Sequence, residues 1–246
     1  MSCSIGVLAG MGPRSTAPFI DMLVSACQSL YGAKDDMDFP KMHIISLPTP
    51  FYPGREIDDR KMALALQSGI QDLVKAEVDL IVVPCNLAHR YFAEMAAVSA
   101  DIPILHIADC AVKNIPSAAN NVAVIATEPT IRAGFYQQRL AAVGKTTISS
   151  STLISHTTEL IALVKEYGFD NGEVKASWRS LLSVAVALGA EAALIACTDI
   201  SPLIGKGTEA EPIIMVDTAT GLAQTAIREF INIKAKRGDD PDRSPT

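Results

Sequence analysis

Short apolar runs alternate with longer amphipathic stretches along most of this chain. Residues 5–9, 42–46, 80–83, 104–106, 122–126, 192–196 and 213–216 are strand-length, and Gly, Pro or polar residues bound most of them. Nearly unbroken apolar runs of that length suit strands buried on both faces. Between them, residues 60–75, 131–142 and 218–234 carry helical periodicity. The alternation predicts an α/β fold, with mostly parallel sheets flanked by helices. One window, 181–197, approaches the length of a membrane span. Gly189 and Glu191 divide it into a helix-length piece (181–188) and a strand-length piece (192–196). A helix feeding a buried strand is the better reading.

The pattern also repeats. When residues 5–23 are laid on 122–140, Leu8 falls on Ile125, Ala9 on Ala126, Phe19 on Tyr136 and Leu23 on Leu140. Residues 78–86 (VDLIVVPCN) fall on 190–198 (AEAALIACT), which places Asp79 on Glu191 and Cys85 on Cys197. Two pseudo-symmetric α/β halves are expected, 1–115 and 116–217. A helix over 218–234 would return to the first half, and the polar tail 237–246 would be disordered.

Composition narrows the classes. Hydrophobic residues make up 49% of the 246 positions, enough for a substantial core, which excludes disorder over most of the length. A net charge of −6 argues against nucleic acid or an anionic membrane as partner. The N-terminus MSCSIGVLAGMGPR lacks the basic region of a signal peptide, so a cytoplasmic location is expected. Five cysteines without C-x-x-C spacing make a poor disulfide framework.

Cys85 and Cys197 stand apart from Cys3, Cys27 and Cys110, which read as packing. Each of the pair follows a buried strand where a helix should begin. Free N–H groups there favour an anion and ease ionisation of a thiol. Two thiols facing one small ligand could remove a proton from one side of a carbon and return it on the other. Both could equally be small apolar residues ending buried strands. On these features alone the two readings are evenly matched.

Several motifs shift that balance: Gly10-Met11-Gly12-Pro13, Pro84-Cys85-Asn86-Leu87-Ala88-His89, Ala126-Thr127-Glu128-Pro129-Thr130, Gly134-Phe135-Tyr136 and Cys197-Thr198-Asp199-Ile200. Over residues 4–233 the chain resembles the aspartate/glutamate racemase family. The resemblance implies two α/β domains with an active site between them, commonly as a homodimer, and no cofactor. It makes Cys85 and Cys197 the two catalytic bases. Asn86, Thr127 and Thr198 would hold the substrate's α-carboxylate and ammonium, with Met11 and Gly12 at the pocket wall. Arg55 and Lys175 are the nearest matches to residues that bind a side-chain carboxylate.

Leu87 stands where the family usually has Thr, which narrows the pocket and makes it more apolar. Asp199 stands where Glu is more usual. His89, four residues after Cys85, reads as tuning that thiol or capping a local network. No second half-site accompanies it, so no metal is expected. The partial fingerprint at Gly10 and Gly12 lacks its third glycine and does not support dinucleotide binding. The expected activity is amino-acid racemisation, with aspartate or glutamate first. The alternatives are a dicarboxylate isomerase or decarboxylase, or an amino-acid-binding homologue without turnover.

Overall fold

The computed structural model describes residues 3–52, 55–205 and 212–238. In chain order the first part contains β1 (Ser4–Ala9), α1 (Thr16–Tyr31), β2 (Lys41–Ser46), α2 (Asp59–Lys75), β3 (Leu80–Val82), α3 (Phe92–Ala96), β4 (Ile104–Leu105) and α4 (Ile107–Val112). The second contains β5 (Asn121–Ile125), α5 (Glu128–Ala133), α6 (Phe135–Ala142), β6 (Thr146–Ile148), α7 (Ser151–Tyr167), α8 (Gly172–Ala187), β7 (Ala192–Ile195), β8 (Ile214–Asp217) and α9 (Thr218–Arg237). Among these residues the strands form two sheets, ordered β2-β1-β3-β4 and β6-β5-β7-β8. Every pairing is parallel. No described helix is long and apolar enough to cross a membrane.

Because strand side chains alternate faces, each sheet feeds two cores. Ile5, Val7, Leu80 and Val82 point to one layer, and Leu8, Ile81 and Val83 to the other. In the second sheet, Val122, Val124, Ala192 and Leu194 oppose Ala123, Ile125, Ala193 and Ile195. The halves exchange helices. Ala108, Ala111 and Val112 of α4 enter the core of the second sheet, together with Tyr136 and Leu140 of α6. Ala219, Leu222, Ala226, Ile227 and Phe230 of α9 enter that of the first, against Phe19 and Leu23 of α1. The last strand of each sheet therefore launches a helix onto the other half, and α4 and α9 pack together at the junction.

The acidic pair in the repeat proves to be structural. Asp79 Oδ2 accepts the Ser4 N–H at 2.7 Å, while Glu191 Oε2 accepts those of Asn120 (2.5 Å) and Asn121 (2.9 Å). Each carboxylate ties the start of its half's central strand to the strand beside it. Asp79 also pairs with Arg237, which closes α9. Of the tail expected to be disordered, Arg237 and Gly238 thus belong to the end of this helix, and 239–246 lie outside the described residues.

Two elements differ from the sequence pattern. The helix expected over 131–142 is broken by Gly134 at φ +73°, which ends α5 and begins α6. Strand β6 has only three residues, two of them Thr, and left no apolar signal.

Gly10 turns the chain away from β1. Its φ is +92°, and a Cβ would sit 2.5 Å from Leu47 N. Gly10→Ala is expected to lower the unfolding free energy by about 3 kcal/mol, from strain and overpacking together. Urea denaturation checks this, and a loss under about 1 kcal/mol would show that the turn relaxes freely.

Candidate active site

In open parallel sheets, ligands gather beyond the carboxyl ends of the strands, where the strand order reverses. That position lies between β1 and β3 in one sheet and between β5 and β7 in the other. Cys85 follows β3 and Cys197 follows β7. The fold brings these two strand ends together. The Thr198 hydroxyl donates to the Pro84 carbonyl at 2.7 Å, joining the residue after one cysteine to the residue before the other.

A second stitch runs the opposite way. Tyr136 O–H donates to Asn86 Oδ1, Asn86 Nδ2 donates to Thr218 Oγ1 at 3.2 Å, and Thr218 donates to the Ile195 carbonyl at 2.8 Å. Asn86, Thr198, Thr218 and Tyr136 are all buried. Asn86 and Thr198, expected from the sequence to hold substrate, also commit polar groups to holding the halves in register. One Asn86 N–H and the Thr198 oxygen's acceptor capacity remain for a ligand.

Cys85 is half-buried, and Cys197 is 9% exposed. Burial pushes the Cys85 thiol up to about 11, against the backbone N–H groups of Ala88 and Leu87, which favour its thiolate. Burial raises Cys197 further still, opposed by the Asp199 N–H. The negative charge of Asp199 disfavours both thiolates, the positive charge of Lys165 favours both, and Cys85 itself raises Cys197. The two thiols thus share one electrostatic environment. They are held protonated at neutral pH.

Lys165, in the last turn of α7, was not foreseen from the sequence. Its Nζ lies 3.7 Å from Asp199 Oδ2 and 5.7 Å from the centre of the Phe51 ring. Asp199 is 8% exposed, and its Oδ1 has no hydrogen-bond partner among the described residues. A Cβ on Gly12 would lie 3.0 Å from that oxygen, so glycine is what allows the first loop to approach the carboxylate. Met11 and Phe51 pack, with Cys85, against the core beneath α2.

The other expected ligand residues are placed differently. Arg55 is exposed, with its guanidinium over the Tyr52 ring at 5.5 Å. Lys175 is half-buried on the first turn of α8, where its backbone N–H bonds the Asn171 carbonyl. Lys165, one helix earlier, is the lysine brought against Asp199, and its charge also acts on both thiols. Thr127 is half-buried beyond β5, and its hydroxyl shares a 3.0 Å bond with that of Thr130. Leu87 is half-buried in the turn after Cys85, where its backbone N–H serves the sulfur.

His89 anchors that turn. Its Nε2 lies 2.9 Å from the Val83 carbonyl, and burial, with His106 beside it, lowers its pKa to about 3. The neutral ring must therefore donate from Nε2, leaving Nδ1 bare. Stacked on Phe92 and tilted against His106, it steadies the segment that carries Cys85.

A family model for Asp/Glu/Hydantoin racemase matches residues 8–226. A broad specificity amino-acid racemase of Bacillus subtilis, RacX, is 38% identical over 227 residues, covering 92% of this chain and 98% of its own. The aspartate racemase of Picrophilus torridus superposes with a TM-score of 0.73 at 24% identity, over 93% of this chain and 94% of that one. A Francisella tularensis glutamate racemase in complex with D-glutamate gives 0.70 at 16% identity, over 95% and 82%. At such identities the structural likeness is one of fold.

Proposed function

The chain belongs to the Asp/Glu/Hydantoin racemase family, and from that premise we propose that it racemises amino acids without a cofactor, using Cys85 and Cys197 as opposed acid and base. The observation that carries this reading is the stitched pair of strand ends, which sets two thiols in one electrostatic environment. In one direction a thiolate takes the proton from Cα, and the bonding pair stays on carbon, delocalised into the α-carboxylate. The opposite thiol then gives its proton to the other face and is left as the thiolate. The reverse reaction exchanges the roles. A carbon acid this weak needs the developing charge stabilised, which oriented N–H groups and a cation in a dry cleft supply.

The substrate class we infer is small α-amino acids rather than aspartate and glutamate alone. Among the described residues, Lys165 is the cation whose charge favours both thiolates, and in the free protein it is balanced by Asp199. Arg55 lies against Tyr52 on an exposed segment. With Met11, Phe51 and Leu87 around the cleft, recognition rests on the amino-acid head group more than on a second carboxylate.

Incubation with L- and D-amino acids in heavy water, without pyridoxal phosphate, tests the reading. Chiral chromatography and NMR should show the opposite enantiomer accumulating with deuterium at Cα. Binding without Cα exchange would overturn it, as would release of carbon dioxide.

A further inference from the structure

Asp199 is a buried carboxylate with one oxygen that meets no donor among the described residues. Oδ2 is engaged by Lys165 at 3.7 Å, but Oδ1 is inaccessible to water and meets no donor among the described residues. Such an oxygen is costly to bury if it stays unpaired. Its surroundings are Gly12, whose missing side chain lets the first loop lie close to Oδ1, and the two cysteines, both of which sense its charge. The neighbouring Thr198 hydroxyl has spent its proton on Pro84 and can only accept. Oδ1 is therefore an acceptor without a donor, and the Thr198 oxygen, one residue earlier in the chain, has acceptor capacity to spare. What complements them is a cation with several N–H groups.

We propose that Asp199 is the anchor for the substrate's α-ammonium, so that the amino group, and not only the carboxylate, selects what enters between the thiols. This rests on the racemase reading and deepens it. An ammonium docked on Oδ1 offsets the charge that opposes ionisation of Cys85 and Cys197. A carboxylic acid lacking the amino group leaves that opposition in place. An amino acid would thereby ready the site for proton transfer, and a des-amino analogue would not.

The test compares wild-type protein with Asp199→Asn. Dissociation constants are measured by calorimetry for L-aspartate against succinate and for L-alanine against propionate. Alkylation of each thiol by iodoacetamide in the free protein is followed by peptide mass spectrometry. In wild type, the amino acid of at least one pair should bind about tenfold tighter than its des-amino partner, as expected for a hydrogen bond between charged groups. In Asp199→Asn that preference should vanish, while both free thiols react several-fold faster because an opposing charge is gone. A merely structural Asp199 predicts that both ligands of a pair weaken together and that the thiols do not speed up.

A preference that survives in the variant overturns the proposal. So does wild-type protein that binds acid and amino acid alike. If wild type shows the preference but exchanges no Cα proton, the ammonium site stands and the racemase reading falls. If it racemises and the variant keeps the preference, the reverse holds.

Discussion

Cys85→Ser and Cys197→Ser should each slow racemisation by about a thousandfold, within the range contributed by one positioned acid or base. A serine hydroxyl nearly matches the thiol in shape but does not ionise in this range, so the fold is spared and the proton transfer is not. The two variants should also differ from each other in a diagnostic way. With one thiol gone, the other can still remove the Cα proton from the enantiomer it faces and return a solvent deuteron to the same side. Each variant should therefore wash deuterium into one enantiomer with retention, and the two should choose opposite enantiomers. Wild-type rates in either variant would remove that cysteine from the chemistry. Exchange of the same enantiomer by both would place the thiols on one side of the substrate, contrary to the two-base proposal.

The legibility of this protein in its sequence follows the range of the interactions. Strands such as β1 and β7 are buried on both faces, so their apolar runs are unmistakable, whereas the Thr-rich β6 offers no such run. The repeat located both cysteines because each half spends the same local grammar at the same strand end. It also displayed Asp79 and Glu191, but gave no hint that both bind backbone N–H groups at strand starts. The residues beside each thiol were visible in the motifs, but their hydrogen-bond partners were not. Asn86 finds Tyr136 and Thr218, and Thr198 finds Pro84, only when one half closes on the other. Lys165 had no local signal at all. It sits one position after the core residue Val164 in an ordinary amphipathic helix, and its meaning lies entirely in reaching Asp199.

That lysine supplies the second large effect. Lys165→Met should lower kcat/KM by about fivefold for every amino acid turned over. Lys165 favours both thiolates, and without it only the backbone N–H groups oppose the Asp199 carboxylate. The lysine charge is the last of the influences on each thiol, and the Lys165 side chain is 37% exposed, so solvent screening holds the effect to about 1 kcal/mol, or about fivefold. Methionine keeps much of the stem that lies toward Phe51, which separates loss of charge from loss of packing. The direction at the thiols is opposite to that of Asp199→Asn: iodoacetamide should modify Cys85 and Cys197 more slowly in Lys165→Met than in wild type. The double variant should return thiol reactivity toward the wild-type value, since one favouring and one opposing charge are removed together. Catalysis should not return with it, because the ammonium anchor is missing as well. Additive effects on thiol reactivity would be compatible with two independent charges, whereas unchanged reactivity in Lys165→Met would show that the lysine does not act on the cysteines.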